Sequence, residues 1–301
     1  MKAYKLLSIT VVIAVALTLA FLTGVPASAG GPVDEPTTDK IVPDLFPLLN
    51  TLNPDSPYYD PSDAYGGEGT RFGPPGKRGP DLPELSSLQE EPGVLWIYHN
   101  YWGTALKSGA TKTGARAKQY VFTTITLKEW KDTLYAPTLL PPNYCPLESV
   151  TYYYKTLTGM QRKWKVYDHY LDAFKYSTNI NATFLDNYVR NGYYWTKVEK
   201  MDSEWWASLY NYNYDVWEAK WAQTNPGDYS EGWDVWEEYD LNNNWPTLPE
   251  IDSFSLQVNV GGYWKNVNST YGYENNYLPP DFPYDYGWNV HYYDWYVGPG
   301  P

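Results

Sequence analysis

Hydrophobic and polar residues alternate with a period of two in the most aromatic stretch of the chain, residues 193–239. Trp217, Ala219 and Trp221 fall on one side of an extended chain, whereas Glu218 and Lys220 fall on the other. This alternation is typical of a β-strand that buries one face. The stretch therefore predicts strands and not helices.

A hairpin accounts for the neighbouring residues. The short aromatic run 206–210 precedes the alternating strand, and the Asn- and Asp-rich residues 211–215 that separate them favour a tight turn. Residues 225–228, which read Asn-Pro-Gly-Asp, mark a further turn, and we expect residues 233–239 to form a third strand.

Short strands are predicted over most of the remaining chain. The clearest reads SFSLQVNV and places Phe254, Leu256, Val258 and Val260 on one face. Further runs occur at 94–98, 120–126, 151–155, 162–167, 173–177, 263–264 and 292–297, with a Gly/Lys/Thr-rich loop expected after the first run. A helix is expected only near 180–190, and the tail 275–288 is expected to pack across a sheet. Many short strands separated by turns indicate an all-β antiparallel sandwich or barrel, and we predict a β-sandwich of two packed sheets.

The N-terminal residues have the pattern of a secretory signal peptide. Lys2 and Lys5 precede an apolar run from 6 to 22, and an Ala-Ser-Ala sequence ends at Ala29. We expect residues 1–29 to be cleaved, with a retained membrane anchor as the alternative, because the run approaches the ~20 residues that span a bilayer. Secretion is the expected localisation.

A Pro/Gly-rich arm follows the predicted signal peptide. Residues 30–93 contain 12 of the 25 prolines, so this segment buries little apolar surface. It is expected to be a linker, a pro-segment or a strap lying on the domain, with one short docking helix among residues 45–52. The folded domain is expected over residues 94–301.

The net charge limits the possible binding partners, and the cysteine count excludes an internal disulfide. The net charge of −13 argues against nucleic acid and anionic membranes, which repel an acidic surface. Cys145 is the only cysteine, so the chain cannot form an internal disulfide. An extracellular polymer, either glycan or polypeptide, is the expected partner.

The sequence contains no motif typical of a metal site or of a catalytic nucleophile. His99, His169 and His291 are far apart in sequence, and neither HExxH nor CxxC occurs, so we expect no transition-metal site and no cofactor. Each histidine is interpreted as an ordinary surface or core side chain. There is also no GxSxG motif, and Cys145 lies in a proline-rich loop without a basic neighbour.

Paired carboxylates remain a candidate for catalysis. Two acids in a cleft can divide the roles of base and acid, because burial and repulsion separate their pKa values. Glu237 and Glu238 are the main candidates, and because they alternate along one strand, any partner of either must come from another strand. The possible partners are Glu204, Glu218, Glu231 and Glu274, of which Glu274 is included with the predicted catalytic residues. A solvated acidic face is the alternative.

The aromatic side chains suggest a binding groove. Indole and phenol groups can stack on a ligand, although a thick core is the simpler use of the same rings. The predicted ligand-binding residues are Trp206, Tyr210, Trp217, Trp221, Trp233 and Trp236.

Residues 151–239 resemble the neprosin domain of plants and microbes. The resemblance lies in the order of Thr151-Tyr-Tyr-Tyr-Lys-Thr-Leu-Thr-Gly159, Leu209-Tyr-Asn-Tyr-Asn-Tyr-Asp-Val-Trp-Glu218 and Gly232-Trp233. It implies a β-sandwich, export, an N-terminal pro-segment and kinship with glutamic endopeptidases, in which one glutamate activates water and a second acid polarises the scissile carbonyl. The resemblance assigns neither acid to a position in this chain.

Three functions are therefore expected, in this order. The first is an extracellular domain that binds glycan or another extended polymer in an aromatic-lined groove. The second is a neprosin-like glutamic endopeptidase, and the third is a structural component of the cell surface.

Overall fold

The computed structural model describes residues 35–65, 97–128, 132–241 and 247–299. The predicted signal peptide, residues 30–34 and 66–93 of the arm, and residues 94–96 of the first predicted strand lie outside these residues. In chain order, the strands are β1 Ile41–Pro43, β2 Ile97–Leu106, β3 Lys112–Tyr120, β4 Thr133–Leu140, β5 Leu147–Lys155, β6 Met160–Asp168, β7 Ala173–Asn179, β8 Tyr193–Met201, β9 Glu204–Asn211, β10 Val216–Gln223, β11 Gly232–Leu241, β12 Ile251–Val260, β13 Tyr263–Asn266, β14 Gly272–Tyr277, β15 Tyr284–Val290 and β16 Asp294–Pro299. The helix α1 spans Ala182–Tyr188, and two 3-10 helices span Pro47–Leu49 and Pro61–Tyr65.

Two packed sheets form a β-sandwich, as predicted. One sheet has nine strands in the order β1-β10-β9-β8-β3-β12-β16-β15, with β13 paired to β12. The other has seven strands in the order β14-β2-β11-β4-β5-β6-β7. All neighbours are antiparallel except β1, which runs parallel to β10. The interior between the sheets holds apolar clusters such as Ala115, Ala117, Leu139, Leu256 and Val258.

The predicted hairpin is confirmed, with Trp217 of β10 opposite Tyr210 of β9. The strand predicted at 233–239 is also confirmed, but it belongs to the other sheet as β11, between β2 and β4. The helix expected near 180–190 is α1, whose first turn is capped by the Asn181 side chain.

The first two long strands differ from the prediction in their bounds: β2 begins within the first predicted run, whereas the second predicted run overlaps β3 only at Tyr120. Residues 99–106 and 112–119, which were expected to belong to the Gly/Lys/Thr-rich loop, form most of β2 and of β3, whereas residues 121–125 lie outside the strands. Ala115 and Ala117 point into the core. The basic residues of β3 are covered by rings: the Arg116 guanidinium lies 4.7 Å from the Trp264 ring and the Lys118 ammonium 5.4 Å from Tyr193. Cation–π contacts of this kind let a basic segment serve as a buried strand.

The alternation predicted for SFSLQVNV breaks at one residue. Ser255 has a positive φ of 55°, and the pairing with β3 shifts there. Such a β-bulge reverses the side-chain alternation. Leu256 and Val258 point into the core, whereas Phe254 packs against Tyr193 on the other face.

Residues 36–65 of the arm lie along the sandwich as a strap. Its strand β1 extends the nine-stranded sheet, and Asp63 near its end bonds to two lysines of β6, Lys163 and Lys165. Thr51 and Ser177 also hydrogen-bond to the Asp63 carboxylate. A buried carboxylate with this many donors fixes the strap to the seven-stranded sheet.

Candidate functional site

The two faces of the seven-stranded sheet differ in their partners. Ser149 of β5 accepts a hydrogen bond of 2.7 Å from Thr196 of β8, and therefore points toward the nine-stranded sheet. Because neighbouring strand residues point in opposite directions, Glu148 points away from that sheet. We call the side on which Glu148 lies the outer face.

Glu237 of β11 lies on the outer face, directly opposite Tyr135 of β4. Its side chain is fully buried, and its Oε2 atom lies 3.2 Å from Nε2 of His99. The imidazole of His99 stacks on Tyr239, with ring centroids 4.2 Å apart and an interplanar angle of 8°. Packing against this ring fixes the orientation of His99, and His99 in turn holds one oxygen of the Glu237 carboxylate.

Tyr135 is a buried phenol between two carboxylates. Burial raises its pKa, and the negative charges of Glu237 and Glu148 raise it further. The phenol therefore keeps its proton across the physiological range and can donate a hydrogen bond. Because Tyr135 and Glu237 are directly opposite each other in an antiparallel pair, their side chains extend from Cβ atoms ~5 Å apart.

Glu148 is a second buried carboxylate bound by an imidazole. Its Oε1 atom accepts a hydrogen bond of 2.6 Å from Nε1 of Trp233, and its Oε2 atom lies 3.0 Å from Nε2 of His169. Tyr152 lies opposite Tyr135, and Glu148 precedes Tyr152 by four residues on β5. Glu148 is thus two strands from Glu237 and offset along the sheet.

The arrangement combines a base with a neutral hydrogen-bond donor. A carboxylate held by an imidazole can accept a proton from water, and a phenol on the neighbouring strand can polarise a carbonyl oxygen. Both groups lie where water is excluded, which strengthens their electrostatic effect on a reacting group.

The other predicted acids lie elsewhere. Glu238 is buried on the opposite face of β11, opposite Leu134 in the core. Glu274 is exposed on the edge strand β14, where it accepts a hydrogen bond from Nε1 of Trp102. Glu218 is buried on β10 of the other sheet, between β1 and β9, in an ion pair of 2.7 Å with Lys220.

The predicted ligand-binding rings do not form an exposed row. Trp217 and Trp236 are fully buried, Tyr210 and Trp233 are nearly so, and Trp206 and Trp221 are half-buried. The four rings on β9 and β10 belong to the nine-stranded sheet, whereas Trp233 and Trp236 on β11 belong to the other sheet. Several indole N–H groups are already engaged, that of Trp217 with the carbonyl of Thr38 and that of Trp221 with Asp168. The glycan-binding hypothesis therefore finds no support here.

Among the described residues, no group of three or more His, Cys, Asp and Glu side chains is arranged to hold a metal ion. The same part of the chain contains no helix with the length and apolar character needed to cross a membrane.

Sequence reasoning missed four residues of this site: His99, His169, Tyr135 and Glu148. The histidines follow no metal or triad motif, and Glu148 lies in the local sequence Pro-Leu-Glu-Ser, without an aromatic or acidic neighbour. A signal for Glu148 was available, because it is the second residue of the tyrosine-rich strand β5 and lies on the same side as Tyr152 and Tyr154.

Comparisons with known proteins give distant structural likenesses only. No protein-family model matches the chain, and no curated protein is similar to it in sequence. The crystal structure of scytalido-glutamic peptidase with a transition state analog inhibitor is 13% identical over 68% of this chain and the whole of that one, with a TM-score of 0.45. SCP-B, a member of the eqolisin family of peptidases solved with the tripeptide Ala-Ile-His, is 12% identical over the same shares, with a TM-score of 0.40. Overlaps this weak carry no conclusion about the activity of this chain.

Proposed function

We propose that the chain is an exported endopeptidase of the glutamic type, in which Glu237 activates water. The observation that carries this proposal is the position of Glu237. It is a buried carboxylate held by His99 and set directly opposite the protonated phenol of Tyr135. The resemblance of residues 151–239 to the neprosin domain supports a polypeptide substrate, and the N-terminal sequence pattern supports export.

In the proposed reaction, Glu237 removes a proton from a water molecule that attacks the scissile carbonyl carbon. Tyr135 donates a hydrogen bond to the carbonyl oxygen as negative charge develops there. The proton on Glu237 then passes to the leaving amine, which restores the carboxylate. His99 is a positioning residue, because it contacts Glu237 and not the reacting atoms.

Access to the site requires part of the protein to move. Glu237 and Tyr135 are shut off from solvent, and Leu52 of the strap packs against the cluster of rings that includes Tyr135. We infer that the strap acts as a pro-segment, and that its release precedes hydrolysis.

The full chain should be incubated with a denatured, alkylated protein between pH 2 and 6, and cleavage followed by mass spectrometry. The same spectra report whether the strap is lost. We expect cleavage by the wild type, none by Glu237→Gln, and wild-type cleavage by Glu274→Gln, the matched control on an exposed edge strand. Inactivity of the wild type with its strap removed, together with retention on insoluble polysaccharide, would reject the proposal in favour of a binding protein.

A further inference from the structure

A cavity of about 590 Å³ opens between the strap and the start of β6, three strands away from Glu237 in the seven-stranded sheet. Its lining includes Tyr58, Tyr59, Asp60, Gln161, Arg162 and Asn179. We propose that this cavity binds a carboxylate carried on a planar, amide-bearing body, and that the C-terminal residue of a peptide is its natural type of ligand. The volume is in the range of small-molecule sites, ~300–1,000 Å³.

Arg162 supplies the charge that would recognise the carboxylate. Its Nη2 atom donates a hydrogen bond of 2.9 Å to the carbonyl of Ile125. Its Nε atom is closed to solvent, so the remaining N–H groups of the two Nη atoms are the donors available to a ligand. No carboxylate of the described residues lies within ion-pair distance of this guanidinium, although the chain carries a net charge of −13. A half-buried guanidinium with unused N–H groups is matched to a planar carboxylate.

The other charges at the cavity compensate one another. The Lys163 ammonium contacts both oxygens of Asp63 at 2.5 Å and lies 4.0 Å from Asp60. Lys163 is therefore already neutralised by the strap, and Asp60 is balanced by Lys163. Arg162 remains as the one cation at the lining whose charge the described residues leave unpaired.

Neighbouring groups suit the body of such a ligand. Tyr58 and Tyr59 are 49% and 47% exposed, so their rings are open to stack on a flat group. The side-chain amides of Gln161 and Asn179 are half-buried and make no hydrogen bond with other described residues. An amide offers both a donor and an acceptor, which fits the peptide bond next to a terminal carboxylate.

The experiment compares hippurate, which has a carboxylate, an amide and a ring, with hippuramide, its uncharged analogue. Binding to the full chain is measured by isothermal titration calorimetry at neutral pH. We expect hippurate to bind at least tenfold more tightly than hippuramide. Equal affinities, or no measurable binding of either compound, would overturn the proposal.

Variants locate the binding. Arg162→Gln should weaken hippurate binding tenfold or more. Because Arg162 also holds the carbonyl of Ile125, Gln161→Glu provides a second variant that leaves this contact in place, and its added negative charge should weaken hippurate at least fivefold without affecting hippuramide. Lys265→Gln, an exposed cation on the other sheet, is the control and should bind as the wild type does. Unchanged hippurate affinity in both cavity variants would show that the ligand binds elsewhere. The proposal concerns the chain with its strap in place, because Tyr58, Tyr59 and Asp60 line the cavity, and it stands independently of hydrolysis, since no step of it uses Glu237.

Discussion

Glu237 and Tyr135 lie directly opposite each other on neighbouring strands of the seven-stranded sheet, and the charge of Glu237 helps to raise the pKa of Tyr135 above its usual value. The pair therefore couples a proton acceptor with a donor that keeps its proton. The two residues are 102 positions apart in sequence and meet only because β11 pairs with β4.

Asp234 should make the fold more stable in mild acid than at neutral pH. It is fully buried between the sheets, where it accepts hydrogen bonds from Gln119 and Trp295, and burial raises its pKa to about 6. The folded state therefore binds this proton more tightly than the unfolded chain does. The contribution of Asp234 to the free energy of unfolding is greatest below pH ~4. It is lost as the pH rises to about 6 and beyond, by an amount of the order of 3 kcal/mol.

Melting temperatures measured between pH 4 and 7 check this prediction. Burial also raises the pKa of Asp252 to about 7, so the wild type should lose stability across the whole interval. Asp234→Asn should flatten the lower part of the profile, whereas the exposed Asp281→Asn should not. A wild-type profile that rises from pH 4 to 7 would contradict the prediction.

Asp63→Asn should detach the strap. The change leaves the ammonium groups of Lys163 and Lys165 buried without their carboxylate, which costs ~3–5 kcal/mol when one partner of a buried ion pair is removed. Urea unfolding measures the loss, and limited proteolysis reports earlier cleavage within residues 36–65. Asp60→Asn is the matched control, because Asp60 is partly exposed and 4.0 Å from Lys163, and should cost under ~1 kcal/mol. Equal effects of the two changes would refute the assigned role of Asp63.

Trp217 should behave as a core residue and not as part of a ligand platform. Its ring is fully buried, and the Lys197 ammonium lies 4.6 Å from the ring centroid. Trp217→Ala should destabilise the fold by ~3–5 kcal/mol in urea unfolding. Tyr263, which is 70% exposed, should tolerate Tyr263→Ala within ~0.5 kcal/mol. A loss of unfolding free energy in Trp217→Ala as small as that in Tyr263→Ala would contradict the core role of Trp217 and favour a binding role.

Cys145 should be unreactive in the folded protein. The thiol is fully buried, and burial raises its pKa well above the usual value, so the reactive thiolate is scarce. Incubation with iodoacetamide at pH 7.5 should leave it unmodified until urea unfolds the chain. Rapid alkylation of the native protein would argue against this placement.

The sequence predicts the sandwich well because alternation reports directly on strands. It predicts β9, β10 and β11 from the aromatic run alone, but not that β11 joins the other sheet, since strand pairing depends on contacts between distant residues. The same limitation conceals the site. Nothing near Glu237 in sequence indicates that its carboxylate contacts His99 on another strand. Likewise, nothing near Glu148 indicates that its carboxylate contacts His169 in a loop. Local reasoning also fails at β3, where rings from distant strands cover the basic side chains.

The most direct test of the account is the kinetic coupling of Glu237 and Tyr135. Values of kcat/KM for a denatured protein substrate should be measured for Glu237→Gln, Tyr135→Phe and the double variant, all with the strap removed and all confirmed as folded by circular dichroism. We predict that Glu237→Gln lowers kcat/KM by ~100-fold or more, and that adding Tyr135→Phe lowers it far less than Tyr135→Phe does alone, because the two groups act in one step. Wild-type kcat/KM in a folded Glu237→Gln variant would contradict the account.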